Sequence, residues 1–132
     1  MSENEISRVV VDAALTVHKA LGPGLLENID EHCLAAELRH RGVSFVQQRA
    51  LPVNYRGERL DRGYRLDLIV EDKVVVEVKA CDGLNDVHLA QVLTYLKLTG
   101  ARLGLLVNFN EALLKTGIRR VVHQLAEDAA QP

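Results

Sequence analysis

The chain has 132 residues, of which 48% are hydrophobic and 26% charged, with a formal net charge of −2. That size suits one compact domain (residues 1–132) with a core of its own and argues against disorder. The slightly acidic balance argues against tight sequence-independent binding of nucleic acid, while leaving room for a local basic groove.

Ser2 and Glu5 form an S-x-x-E capping pattern ahead of Ile6, Val9, Val10, Ala13 and Val17, which predicts a helix over about 4–20. Gly22-Pro23-Gly24 breaks it. A second helix is expected over about 26–40, with Leu34, Ala35 and Leu38 on its core face and Gly42 at its stop. Residues 43–48 and 52–55 are short strand candidates, and Arg56-Gly57-Glu58 reads as a hairpin turn. Residues 64–70 and 74–79 are stronger strands, separated by the polar Glu71-Asp72-Lys73. A third helix is expected over about 85–98, ending at Gly100, followed by a strand over 101–109. Ile118 to Val122 is a last element of open type, and the stretch from about 126 is expected to fray. This order predicts an α/β sandwich around a mixed sheet.

Cys33 and Cys81 are the only cysteines and sit in no metal-binding or redox spacing, as in a reduced cytoplasmic protein. Residues 1–4 are polar, and no apolar run approaches the roughly 20 residues of a membrane helix. No membrane partner is expected.

The hairpin over 64–79 carries the chemistry. With Asp72 at the centre of its turn, Asp67 faces Glu77, Arg65 faces Lys79 and Ile69 faces Val75, all on one side. The other side, from Tyr64, Leu66, Leu68 and Val70 to Val74, Val76 and Val78, is apolar and calls for a helix layer. Two carboxylates directly opposite each other repel. A cation between them reverses that sign, and Mg²⁺ suits oxygen ligands. Lys79, two residues after Glu77, falls on the same side and could assist an attacking water or a phosphate. The alternative is a surface ion-pair network with Arg65 and Lys79, and the hairpin alone favours it.

Asp67, nine intervening residues and Glu77-Val78-Lys79 make a D…E-x-K pattern. Added to it are Gly24-Leu25-Leu26-Glu27, Gly63-Tyr64-Arg65-Leu66-Asp67, Val87-His88-Leu89-Ala90-Gln91 with Thr94-Tyr95-Leu96, and Asn108-Phe109-Asn110. Together, over about residues 5–123, they resemble the GxxExxY family of the PD-(D/E)XK nuclease superfamily. The resemblance implies a restriction-endonuclease-like core and a Mg²⁺- or Mn²⁺-dependent phosphodiesterase acting on nucleic acid, DNA first. It implies metal ligation by Glu27, Asp67, Glu77 and the Val78 carbonyl, with Lys79 catalytic. Gln91 and Tyr95 match a Q-x-x-x-Y signature, the glutamine orienting the site and the tyrosine approaching the nucleic-acid backbone. Where the family name ends in tyrosine, this chain has Asp30.

Other residues carry two readings each. His88 is either a core histidine or a substrate contact. Arg56, Arg59, Arg62 and Arg65, like Lys115, Arg119 and Arg120, are either solvated charge or phosphate contacts, and Arg65 is the one placed on the catalytic strand. With two Phe and three Tyr, a broad base-stacking platform is not expected. The rival to the enzyme is a non-catalytic module on the same fold that binds nucleic acid or a protein. An apolar sheet edge on a small domain is also compatible with a homodimer.

Overall fold

In a computed structural model, residues 1–125 are described. The expected frayed tail lies outside them. Helix α1 (Glu3–Leu21) begins with the capping box foreseen at Ser2 and Glu5 and buries Ile6, Val10, Ala13, Ala14 and Val17 along one stripe. Helix α2 (Glu27–His40) follows and packs beside it.

The sheet has five strands in the order β1 (Phe45–Tyr55), β2 (Glu58–Val70), β3 (Val74–Lys79), β4 (Leu103–Asn108) and β5 (Ile118–Val122). Only β3 and β4 run parallel, joined by helix α3 (Asp86–Thr99), and the remaining neighbours are antiparallel. The expected mixed α/β sandwich is present, and the open element at Ile118–Val122 is an edge strand. Buried on both faces, β3 and β4 read as near-continuous apolar runs.

One face of the sheet, with Leu68, Val70, Val74, Val76 and Val78, packs on α1 and α2. The other, with Leu66, Ile69 and Val75, packs on Tyr95 and Leu96 of α3. Gly104 lets α3 lie close, since a Cβ there would stand 2.5 Å from Val92 Cγ1. Helix α3 stops at Gly100, whose φ of 78° suits a residue without a Cβ. No helix among the described residues is long and apolar enough to cross a membrane.

Two expectations are corrected. The candidates 43–48 and 52–55 form one long strand, and β2 begins at Glu58 rather than Tyr64. The pairing slips between Leu51 and Val53, where Pro52 supplies no N–H to the ladder. The apolar side of the hairpin is also not continuous. Leu66 joins the α3 face and Tyr64 packs on Tyr95, whereas Leu68 and Val70 face α1 and α2. The alternation changes phase at Asp67, where the regular β2–β3 ladder has ended at Leu68 and Val76.

Candidate active site

Leu68 pairs with Val76, so the register anticipated from the turn holds and brings Asp67 to Glu77. Beyond that pair, side chains replace the ladder. Glu77 Oε2 accepts the backbone N–H of Asp67 at 2.8 Å, and Asp67 Oδ2 accepts that of Val78 at 2.9 Å. Each carboxylate therefore satisfies the other strand's backbone and fixes itself beside its neighbour. Glu77 is only 3% exposed.

Two acids so placed cannot both ionise easily. Burial pushes the Glu77 carboxyl from the usual 4.5 up to about 9, the negative charge of Asp67 adds to the rise, and Lys79 pulls the other way. Burial likewise raises Asp67, against the lowering pull of the Val78 N–H. The surface ion-pair reading does not fit this burial.

A further acid, not singled out from the sequence, stands on the α2 side. Glu31 is buried and its charge raises Asp67. The Gln48 side-chain nitrogen donates to both Glu31 oxygens, at 2.8 and 2.9 Å, and reaches Asp67 Oδ1 at 3.3 Å. Gln47 donates to Glu31 Oε2 at 3.0 Å. Gln48 lies between the ladder pairs Gln47–Leu68 and Arg49–Leu66 but takes φ 53°, a conformation few residues with a Cβ adopt. The signal for Glu31 was available: it extends the core stripe of Leu34, Ala35 and Leu38 one turn towards the helix start.

The other expected residues spread around this pair. Glu27, at the first turn of α2, is exposed, and its Oε1 accepts the Ala80 N–H at 3.2 Å just past Lys79. Asp67 thus meets Glu31 through Gln48, while Glu27 meets the end of β3. Lys79 is half-buried and Arg65 exposed. Tyr95 is 2% exposed, packs edge-on to Tyr64 with ring centres 5.6 Å apart, and is hydrogen-bonded by Gln91. Its hydroxyl is pushed up to about 12, first by burial and then by Glu77 and Asp67, which places it within their field. Gln91 lines a groove of about 340 Å³ with Tyr64, Val87, Ala90 and Thr94. His88 is not a core histidine: it is half-buried, and its Nδ1 accepts the Asn85 N–H at 3.2 Å, closing a capping box at the start of α3. Asp30 is buried, its Oδ1 has no hydrogen-bond partner among the described residues, and burial raises its carboxyl. A larger hollow of about 670 Å³, between Leu15, His18 and Lys19 of α1 and residues 112–116, contains no carboxylate and lies off the site.

Among the described residues, no three Asp, Glu, His or Cys stand together as a ready-made metal sphere. The donor set still fits a hard divalent ion in kind. Mg²⁺ needs only one or two protein carboxylates and keeps several waters, and Asp67 and Glu77 are two acids whose mutual repulsion a cation would relieve.

A family model described as the PD-(D/E)XK nuclease superfamily matches residues 4–121. Among solved structures, one described as "Crystal structure of SSO0001" is similar with a TM-score of 0.56 at 22% identity, over 78% of this chain and 53% of that one. The likeness is one of fold, and the chain corresponds to about half that protein's length. A comparison with curated proteins gave no match.

Proposed function

The chain belongs to the PD-(D/E)XK nuclease superfamily, and on that premise we propose that it hydrolyses phosphodiester bonds of nucleic acid, DNA first, with Mg²⁺ or Mn²⁺ held by Asp67 and Glu77. The observation that carries this reading is the close placement of the buried Glu77 and half-buried Asp67 carboxylates, each bonded to the other's strand, with Lys79 beside them. Bound there, a divalent ion supplies Lewis-acid polarisation of the phosphate and a more acidic water. The Val78 carbonyl is assigned as a further ligand. Glu31 and Gln48 hold Asp67 in place, and Glu27 joins from the end of β3, directly or through water.

Lys79 stabilises charge on the phosphate or holds the attacking water, next to an acid that its own charge keeps more ionised. Gln91 stands at the groove beside Tyr64 and orients the site; Tyr95 acts through it, since its own ring is covered. Arg65, exposed on β2, is assigned to a phosphate. The Gly24-to-Glu27 and Tyr64-to-Asp67 stretches support placement in the GxxExxY branch, with Asp30 at the position of its tyrosine.

The test is cleavage of single-stranded, duplex and branched DNA and RNA with Mg²⁺, Mn²⁺ or EDTA. Cleavage that needs the metal and disappears in Glu77→Ala is expected. Equal behaviour of wild type and Glu77→Ala on every substrate would overturn the enzyme reading. Metal-independent binding that survives Lys79→Ala would favour the non-catalytic module, motivated by the net charge of −2 and the lack of a preassembled three-acid cluster among the described residues.

A further inference from the structure

The Asn108-Phe109-Asn110 motif has no part in the reading above, yet its side chains converge on the strand that carries Glu77 and Lys79. Asn108 ends β4 as the ladder partner of Lys79, and it is fully buried. Its Oδ1 accepts the backbone N–H of Cys81 at 3.1 Å, and its Nδ2 donates to the Cys81 carbonyl at 3.0 Å. One amide side chain thus takes both backbone groups of a residue that lies past the end of β3.

The neighbours extend the attachment. Asn108 Oδ1 also accepts the Asn110 N–H at 3.2 Å, and Nδ2 approaches Glu111 Oε1 at 3.5 Å. Asn110 donates through Nδ2 to the Cys81 carbonyl at 3.3 Å and accepts the Gly24 N–H at 3.2 Å. Gly24 lies in the turn that leads to Glu27. The last strand bond, from the Phe109 N–H to the Lys79 carbonyl at 2.9 Å, completes the set.

Along the end of β3, three backbone N–H groups are therefore taken by side-chain oxygens from three other elements. Val78 donates to Asp67, Ala80 to Glu27 and Cys81 to Asn108. Lys79 sits between two of these attachments. A buried amide whose four hydrogen-bonding sites are this heavily used is costly to replace and holds a single arrangement.

We propose that Asn108, backed by Asn110, is a positioning residue that fixes the exit of β3, so that Lys79 and Glu27 both meet the Asp67–Glu77 pair. Its side-chain hydrogen bonds go to Cys81, Asn110 and Glu111, and none goes to Glu27, Asp67 or Glu77. It acts by holding Cys81, and through Cys81 the two residues before it. The inference rests on the nuclease reading for its effect on rate, but its structural half can be measured without any activity.

The experiment compares wild type with Asn108→Asp, Asn108→Ser and Asn110→Ala. Asn108→Asp keeps the acceptor and removes the donor to the Cys81 carbonyl. Asn110→Ala removes only the outer bonds and guards against a buried change that prevents folding. Amide exchange at Ala80 and Cys81 is expected to speed up by about tenfold in the Asn108 variants, and less in Asn110→Ala, while exchange in the β4 core stays as in wild type. Alkylation of Cys81 is expected to accelerate, with Cys33 in α2 as internal control.

On a cleaved substrate, kcat is expected to fall by about tenfold or more with KM little changed, because a misplaced catalytic group costs rate rather than binding. Unchanged exchange at Ala80 and Cys81 in folded variants would overturn the proposal. So would faster exchange with an unaltered kcat. If wild-type protein cleaves nothing, the nuclease reading fails, and the exchange and alkylation results alone decide whether Asn108 fixes the exit of β3.

Discussion

Asp67 and Glu77 each accept a backbone N–H from the other's strand, at 2.9 Å from Val78 and 2.8 Å from Asp67 itself. The carboxylates are thus held together by the same bonds that end the ladder, and the strands cannot close further without giving up the site.

This arrangement makes the metal-free protein sensitive to pH. Glu77 is pushed up to about 9 and Asp67 is also raised, chiefly by burial in both cases. A carboxyl raised on folding is protonated in the native state while the unfolded chain has already lost its proton. Its stabilisation is complete below the unfolded pKa and is lost as pH rises towards about 9 for Glu77. The unfolding free energy from urea titrations in EDTA should therefore fall from pH 5 to pH 9, by at most about 1.4 kcal/mol per pH unit for each proton involved. Glu77→Gln should flatten the slope. A wild-type profile as flat as that of the variant would refute the coupling.

Mn²⁺ should bind at one saturable site and release protons as it does so, since its ligands must ionise. Calorimetric titration in two buffers of different ionisation heat measures both. Asp67→Asn should abolish the site-specific heat while leaving the protein folded. Retention of that heat would move the metal elsewhere.

Of Glu31 and Glu27, both on α2, Glu31 should matter more for metal affinity. Glu31 reaches Asp67 through Gln48, whereas Glu27 is spent on the Ala80 N–H. Glu31→Gln should weaken Mn²⁺ binding by about tenfold or more, the usual cost of losing a group that orients a ligand. Glu27→Gln should change it less and lower cleavage instead. The reverse ranking in paired titrations would restore Glu27 as the closer acid.

Gly104→Ala separates fold from site. The added Cβ would meet Val92 Cγ1 at 2.5 Å under α3. Overpacking of this kind costs about 1–3 kcal/mol, which thermal unfolding would register as a lower Tm. Mn²⁺ affinity should stay within error of wild type. A variant as stable as wild type would show that α3 moves aside freely.

The parts legible in the sequence are those set by neighbours along the chain. Helix α1 was readable because Ser2 and Glu5 cap it and its apolar residues recur at helical spacing. The hairpin register was readable because a tight turn fixes which residues oppose, and Asp67 and Glu77 followed from it. The same hairpin put Lys79 on their side; the motif resemblance then brought in Glu27 and Gln91, and it correctly indicated the superfamily.

What only the tertiary structure decided depends on residues distant in sequence. Helical spacing puts Glu31 on the core stripe of α2, but its partner cannot be read from the sequence, and Gln48 looks like an ordinary strand residue. Their roles arise because α2 and β1 meet over Asp67 and because Gln48 adopts φ 53°, which no local pattern announces. The change of face at Asp67 and the hold of Asn108 on Cys81 are of the same kind. Periodicity along a chain fixes where side chains point within one element. Which polar groups become buried, and must therefore find partners, is settled only when the elements pack.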